Sequence, residues 1–180
     1  MNHDQLLLTI CRQAIQDEFD YTDVASSLAN EHSFLKEPQA CFVTLELDGR
    51  LRGCIGSLIA SRPLGEDIIY NAKAAAFRDP RFAKLTPEEF KRVTIELSLL
   101  STPEALTYRD TAQLRDTIKP FVHGVILAYQ GHQATFLPSV WEQLPTFESF
   151  FSHLLQKAGL PESALEKHPD IYLYTTTKIK

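Results

Sequence analysis

The sequence predicts an α+β fold with a largely antiparallel sheet flanked by helices, and three observations carry this prediction. Helix-like and strand-like patterns follow one another as α-β-β-α-α-β-β-β-α-β, without the βαβ repetition that builds parallel sheets. Short turns at Asp48-Gly49 and near Gln130-Gly131 are typical of antiparallel hairpins. With 180 residues, of which 44% are hydrophobic, the chain is long enough for one domain over residues 1–180, with room for two lobes.

Composition and charge narrow the classes of function. A net charge of −5 gives no general attraction to nucleic acid or to anionic membranes, so the sequence argues against both as partners. No apolar run is long enough to span a bilayer, and the first residues lack the basic segment of a signal peptide. Cys11, Cys41 and Cys54 fit free thiols in a reducing compartment, and their spacing matches no zinc pattern. We therefore expect a cytoplasmic protein that needs no metal or cofactor.

The first predicted element is an amphipathic helix over residues 4–19, because its apolar residues recur at helical spacing. Residues 20–40 are mixed and polar, and Pro38 favours a loop there. Residues 41–47 alternate as a strand does. One face of that strand carries Cys41, Val43 and Leu45, and the other carries Phe42, Thr44 and Glu46.

The turn after this strand leaves two registers open. A two-residue loop of type I′ at Asp48-Gly49 pairs Leu47 with Arg50, and it places Arg50 and Arg52 on the aliphatic face. A three-residue loop with a G1 bulge instead pairs Glu46 with Arg50.

We prefer the bulged register because it keeps the aliphatic face free of charge and pairs opposite charges across the strands. In this register Leu51 and Ile55 enter the core. Arg52 and Cys54 then lie together on the opposite face of the sheet.

The next elements have clear boundaries. Pro63 and Leu64 open a helix that ends near Arg78, because the residue before Pro80 is pushed out of helical space. The segment Thr86–Glu89 is a capping box that starts a short helix. Residues 93–100 alternate again as a strand.

The second half of the chain predicts fewer helices than the first half and the same number of strands. Residues 101–119 contain turn signals and at most one short helix, and residues 121–129 and 133–137 form a hairpin. A helix over residues 147–158 ends at a glycine followed by a proline. The last predicted strand is rich in Tyr and Thr and covers residues 171–177.

Residues 50–57 are the stretch where chemistry or binding is most expected, because they combine two arginines, two glycines and a thiol. Cys54 is the candidate nucleophile or acid–base thiol, since a thiol near a cation ionises more readily and Arg52 is two residues away. Gly53 and Gly56 allow a ligand to approach closely. The alternative is structural, because free cysteines are often buried and these glycines also suit tight packing.

Two further residues are candidates for proton transfer. His123 is a possible base for a thiol, although by alternation it shares a face with apolar strand residues, which favours a core histidine. Glu96 lies in the middle of a strand and needs a cationic partner if its face is covered, for which Arg52 or Arg81 are natural choices.

Five arginines lie between positions 50 and 81, which is many for an acidic chain. They indicate either an anion-binding patch or unrelated surface charges. Around Pro80, the sequence favours a rigid loop held by an ion pair between Asp79 and Arg81. The arginines in question are Arg50, Arg52, Arg62, Arg78 and Arg81. The candidate ligand-binding residues are Gly53, Gly56, Ser57, Arg62, Asp79 and Arg81.

Several separated blocks of the sequence resemble the AMMECR domain family, whose bacterial and archaeal members are called AmmeMemoRadiSam system protein A. The most specific block is the hexapeptide Leu51-Arg52-Gly53-Cys54-Ile55-Gly56 (LRGCIG), the hallmark of that family. The resemblance implies a two-lobed α+β fold with the hexapeptide near the junction of the lobes. The other blocks cover residues 74–82, 95–101, 123–125, 135–141 and 157–160.

The resemblance also implies partners. Genes for a Memo-like protein and a radical-SAM protein often occur with this domain or are fused to it. The family offers no established reaction, although the hexapeptide has suggested a role in a modification pathway acting on an unknown small molecule or modified substrate. Relatives often carry basic residues where this chain has Gly131–Ala134, so an anion bound there would be held more weakly.

Three functional hypotheses follow, in order of preference. The first is a binding or delivery component of the Memo and radical-SAM system. The second is an enzyme that uses Cys54, with Arg52 nearby and His123 or Glu96 as proton-transfer partners. The third is a nucleic-acid-binding regulator, which the acidic balance disfavours.

Overall fold

The computed structural model describes residues 2–180 and confirms the predicted α+β class. The α-helices are α1 (His3–Asp20), α2 (Val24–Asn30), α3 (Leu64–Phe77), α4 (Pro87–Phe90), α5 (Thr111–Thr117) and α6 (Phe147–Lys157). Short 3-10 helices cover Ser33–Lys36, Pro138–Glu142 and Glu162–Lys167. The strands are β1 (Cys41–Leu47), β2 (Arg50–Gly56), β3 (Thr94–Leu100), β4 (Glu104–Ala105), β5 (Gly124–Tyr129), β6 (His132–Phe136), β7 (Asp170–Tyr174) and β8 (Thr176–Ile179).

The chain divides into two compact units. The first contains the residues up to Leu100 together with Thr177–Lys180, and the second contains Ser101–Thr176. One four-stranded sheet has the order β2-β1-β3-β8, and the other has the order β4-β7-β5-β6. Strand β1 is antiparallel to both of its neighbours, β2 and β3, and β5 is antiparallel to β6 and β7. Strand β2, which carries the hexapeptide, therefore lies at the edge of its sheet.

Helices α1 and α3 pack together against the first sheet and form the core of the first unit. The apolar stripe predicted for the first helix is buried, and so is the predicted inner side of α3, from Leu64 to Ala76. Small alanines on α3 let the helix approach the sheet closely. Among residues 2–180, no helix combines the length and apolar character needed to cross a membrane.

The hairpin between β1 and β2 does not have the register that we preferred from the sequence. Asp48 and Gly49 both have positive φ, at 53° and 74°, and they form the two-residue turn that pairs Leu47 with Arg50. The two-residue loop, which we considered the less favourable alternative, is therefore correct at the turn. The register is not constant along the strands, however, because it shifts between Leu45 and Glu46.

An extra residue on β2 changes the pairing beyond the turn. Leu51 lies opposite Glu46, whereas Gly53 lies opposite Leu45, so the bulge is at Arg52. The prediction that Leu51 enters the core is wrong, since the side chain is 45% exposed.

Beyond the bulge, the faces agree with the prediction. Ile55 lies opposite Val43 and packs against the core, and Cys54 lies opposite Thr44 on the other face of the sheet. A bulge inside a strand needs no particular turn residue, so no local pattern predicts it.

Two other segments differ from the sequence prediction. Residues 20–40, where the sequence assigned no element, contain α2 and a 3-10 helix, and the loop expected at Pro38 leads into β1. The predicted strand over residues 171–177 is divided in two, because β7 joins the second sheet and β8 joins the first. An uninterrupted Tyr- and Thr-rich run fits one strand as well as two, so propensity alone does not locate such a break.

Gly53 marks the closest approach between β2 and α3, and it provides a test of this packing. A Cβ atom at Gly53 would lie 2.1 Å from the carbonyl oxygen of Ala75, which is backbone and cannot move aside easily. We expect Gly53→Ala to lower the free energy of unfolding by about 2–3 kcal/mol, measured by urea denaturation. The control Leu51→Ala changes an exposed neighbour and should cost less than about 1 kcal/mol. Equal effects of the two substitutions would contradict this packing.

Candidate functional site

Cys54 is half-buried and its thiol has one hydrogen-bond partner, the hydroxyl of Thr44, which donates to Sγ over 3.3 Å. The backbone N–H and C=O of Cys54 point away from β1 and bind side chains outside the sheet. The pair Cys54–Thr44 is therefore a non-hydrogen-bonded pair, in which the side chains of antiparallel strands come closest. Cys11 and Cys41 are buried instead, and burial raises the pKa of Cys11 to about 12.

Asp79 holds the outer edge of the hexapeptide strand. Its carboxylate is buried and accepts the N–H of Cys54 over 2.9 Å. Arg81 donates to the same carboxylate through Nε over 3.0 Å and Nη2 over 2.7 Å, which confirms the predicted ion pair. Arg81 also donates to the carbonyl oxygen of Cys54 over 3.3 Å. The hydrogen bonds from Arg81 and from the Cys54 N–H hold the pKa of Asp79 well below its usual range.

Arg52 forms a two-pronged ion pair with Glu89, with Nε and Nη2 at 3.0 and 2.9 Å from the two carboxylate oxygens. Glu89 belongs to the predicted capping box of α4, where its carboxylate also accepts the N–H of Thr86. The hydrogen bond from Arg52, with that from Thr86, lowers the pKa of Glu89 to about 2.

The guanidinium of Arg52 is directed towards the segment before α4 rather than to the sulfur of Cys54. Its Nη2 also reaches the carbonyl oxygen of Lys84 over 3.4 Å, and its Cζ lies 5.9 Å from the ring centre of Phe82. Its Nη1 is buried and has no hydrogen-bond partner among the described residues. The structure thus brings Arg52 and Cys54 onto one strand but gives their side chains different partners.

A second buried aspartate, Asp67, organises the end of the same strand. Ser57 donates to Asp67 over 2.6 Å, and Arg62 donates through Nε and Nη2 over 3.1 and 2.8 Å. Cys41 and Asn71 complete the network through a backbone N–H at 3.0 Å and a side-chain amide at 3.0 Å. Sequence reasoning named Ser57 and Arg62 but missed Asp67 and Asn71. The sequence contains one sign of these two residues: they are polar, lie four positions apart, and fall on the otherwise apolar side of α3.

Glu96 pairs with cations that the sequence analysis did not consider. Lys180 and Lys178 lie 2.7 and 3.4 Å from its carboxylate, so the expectation of Arg52 or Arg81 as partners is corrected. Burial acts to raise the pKa of Glu96, but the hydrogen bond from Lys180 and the charges of both lysines lower it overall. These lysines lie on or just after β8, beyond the end of the predicted last strand, so nothing in the sequence placed them beside β3.

Two candidate side chains, Cys54 and Glu96, form a row with Thr44 across one face of the first sheet. Cys54 lies opposite Thr44 in the pairing of β2 with β1, and Thr44 lies opposite Glu96 in the pairing of β1 with β3. Directly opposed residues of antiparallel strands share a face. The row therefore contains a thiol, a hydroxyl that donates to it, and a carboxylate held by two lysines.

His123 belongs to the second unit, whereas Cys54 belongs to the first. Its Nδ1 accepts the N–H of Lys119 over 3.1 Å, and its carbonyl oxygen accepts the indole N–H of Trp141 over 2.8 Å. Burial, with the charge of Lys119, lowers the pKa of His123. The expectation that His123 and Phe121 share a strand face is wrong, because β5 begins after both and Phe121 is 58% exposed.

The two glycines of the hexapeptide are sites of close packing. Gly53 contacts the backbone of Ala75, and a Cβ on Gly56 would lie 2.1 Å from the ring of Phe42. At both glycines, other atoms of the protein occupy the space that a side chain would need. Within the described part of the chain, no three His, Cys, Asp or Glu side chains form a group able to hold a metal ion.

The ion pair between Arg52 and Glu89 predicts a pH dependence of stability. The pKa of Glu89 falls from 4.5 to about 2 on folding, so the pair stabilises the protein above pH 4.5 and loses this effect as the pH falls towards 2. Glu89→Gln should lower the free energy of unfolding at neutral pH by about 2 kcal/mol, and its difference from wild type should shrink on acidification. The control is Glu88→Gln on the exposed side of α4, and a constant difference for Glu89→Gln across this pH range would contradict the prediction.

Comparison with known proteins gives one family. The AMMECR1 family model matches residues 8–179. A Thermofilum pendens protein is 33% identical over 184 residues, covering 94% of this chain and 84% of its own, and a Saccharolobus islandicus protein is 34% identical over 187 residues, covering 98% and 77%. The crystal structure of uncharacterized protein PH0010 from Pyrococcus horikoshii matches with a TM-score of 0.83 at 28% identity, covering 96% of this chain and 88% of that one. These matches confirm the resemblance, and the chain belongs to the AMMECR1 family.

Proposed function

We propose that this chain is a cytoplasmic binding or delivery component of a system with a Memo-like protein and a radical-SAM protein, as the family resemblance implies. One observation carries the preference for binding over catalysis. The charged side chains around the hexapeptide are engaged in ion pairs with one another, namely Arg52 with Glu89, Arg62 with Asp67, and Asp79 with Arg81. These pairs fix the shape of a surface rather than leave charges free for a reaction.

The pKa shifts support the same preference. A general acid or base works best when its pKa lies near the working pH. Arg81 instead holds the pKa of Asp79 well below its usual range, and Arg52 lowers that of Glu89 to about 2. Both carboxylates stay ionised at neutral pH, so neither is suited to move protons there. In the proposed role, the ion pairs hold the hexapeptide strand rigid while a partner or an unknown small molecule or modified substrate binds beside it.

Co-purification with the Memo-like protein of the same organism tests the proposal. The purified proteins should form a complex with a dissociation constant of about 10 μM or tighter, measured by calorimetry. Cys54→Ser should bind equally well, because the substitution keeps the size of the side chain and the binding role does not use a thiol. The absence of association at micromolar concentrations would count against this function.

The second candidate function is an enzyme that uses Cys54. It is favoured by the partial exposure of this thiol and by the hydrogen bond that Thr44 donates to Sγ over 3.3 Å, since such a donor stabilises a thiolate. Glu96, in the same row, is the proton-transfer candidate that lies in the same unit. Arg52 remains a candidate on the same strand as Cys54, and its guanidinium is already paired with Glu89.

Thiol labelling distinguishes this candidate from the first. A nucleophilic Cys54 should react with iodoacetamide at about pH 7 and gain little rate at higher pH, because the reactive thiolate is already formed. Cys54→Ser is the control. Cys11 and Cys41 are buried, so they should react with iodoacetamide only after the protein is unfolded. A rate that keeps rising about tenfold per pH unit up to about pH 9 would eliminate the nucleophile.

A further inference from the structure

A surface on the first unit combines exposed apolar side chains with two arginines, of which Arg62 is paired with Asp67 and Arg78 has no carboxylate partner among residues 2–180. We name it the Tyr70 patch and define it as Ile59, Arg62, Tyr70 and Arg78. Tyr70 is 47% exposed on α3 and Ile59 is 67% exposed in the loop that follows β2. Exposed large apolar side chains grouped with arginine and tyrosine are typical of protein interfaces.

The two arginines of the patch lie over the same aromatic ring. The Cζ of Arg62 is 4.1 Å from the ring centre of Tyr70, and that of Arg78 is 4.9 Å from it. Arg78 also donates to the carbonyl oxygen of Tyr70 over 3.4 Å. These contacts hold the guanidinium groups in place before any partner arrives, which reduces the entropy lost on binding.

The patch carries one unpaired positive charge, that of Arg78, although the whole chain has a net charge of −5. Arg62 is paired with Asp67, but that carboxylate is only 2% exposed and also accepts hydrogen bonds from Ser57 and Asn71. Arg78 is exposed and has no carboxylate partner among residues 2–180. Arg78 therefore gives the patch an exposed positive charge, whereas the Arg62 side chain is only 33% exposed and is paired with the buried Asp67.

Ile59 is an exposed apolar residue of the loop that carries Arg62. It lies three residues before Arg62 in a loop that turns tightly, since the N–H of Ser61 binds the carbonyl oxygen of Ile59 over 2.9 Å. Arg62 connects the loop to the strand, because its Nη2 also donates to Ser57 over 3.1 Å. The apolar tip of the loop thus extends from the same framework that holds the hexapeptide strand.

We propose that the Tyr70 patch binds an acidic segment of a partner protein that also carries an aliphatic side chain. Charge complementarity to Arg62 and Arg78 selects the acidic character, and Ile59 and Tyr70 select the aliphatic side chain. A nucleic acid fits less well, because its affinity depends on many phosphate contacts and the net charge of the chain opposes them. The inference rests on the proposed binding function and adds the place and chemistry of the contact.

The decisive experiment uses a fluorescent synthetic peptide of about ten residues, alternating glutamate and leucine, as the probe. Wild-type protein should bind it, and Arg78→Glu and Tyr70→Ser should each weaken binding by about tenfold or more. Raising the salt from about 50 to about 300 mM should weaken binding several-fold, since the contact is partly electrostatic. The altered side chains are exposed, so both variants should keep the wild-type circular dichroism spectrum.

Matched controls come from exposed positions outside the patch. Arg109→Glu reverses an exposed charge in the second unit, and Tyr21→Asn removes a ring that is 95% exposed. Both should bind the glutamate–leucine peptide within about twofold of wild type. A lysine–leucine peptide should not bind the patch.

Several results would overturn the inference. These are no binding of the glutamate–leucine peptide, equal binding by the patch variants, tighter binding of single-stranded oligothymidylate, or a self-association that Arg78→Glu abolishes. Binding of the Memo-like protein is measured separately and decides the proposed function. If the peptide binds at the patch and the Memo-like protein does not bind at all, the proposed function fails and the inference stands. If the Memo-like protein binds and the peptide does not, the inference alone fails.

Discussion

The carboxylate of Asp79 is the interaction on which the geometry of the hexapeptide strand depends. Strand β2 is at the edge of its sheet, so the outward N–H and C=O of Cys54 have no strand to pair with. Asp79 accepts that N–H and Arg81 donates to that carbonyl oxygen, and the two side chains are paired with each other. A buried aspartate left without these donors would destabilise the fold, so the carboxylate and the strand hold each other in place.

Helix α3 connects this interaction to the other end of the strand. Asp67 in its first turn binds Ser57 just after the strand, and Asp79 follows its last turn and binds Cys54. Between them, the backbone of Ala75 touches Gly53. The hexapeptide therefore follows the helix over much of its length. Gly53 serves the close contact between strand and helix, and Gly56 makes room for the ring of Phe42 on β1. This arrangement explains why the site is rigid and why so few of its charges are free.

The sequence predicted the elements better than it predicted their contacts. Local signals, such as the capping box at Thr86–Glu89 and the alternation of residues 41–47, are independent of distant residues, and the structure confirms both. The bulge at Arg52 and the division of the last strand depend on which elements lie nearby, and no local pattern records that.

The same difference applies to the site. The pair Asp79–Arg81 was predictable because the two residues are close along the chain. The pair Arg52–Glu89 was not predictable, because 37 residues separate its members. The pair Glu96–Lys180 was not predictable either, because it depends on β8 lying beside β3. The functional roles of the candidate residues were predicted from residue type and from family resemblance, and they remain predictions.

Amide hydrogen exchange at Cys54 tests the central claim most directly, because that N–H has no partner in the sheet and depends on Asp79. In the wild type this amide should exchange slowly, as a bonded one does. In Asp79→Ala it should exchange about tenfold faster or more, while the amide of Leu97 in the middle of the sheet stays protected. Exchange at Cys54 that is as fast as that of an exposed amide in the wild type, or that is unchanged in Asp79→Ala, would contradict the claim.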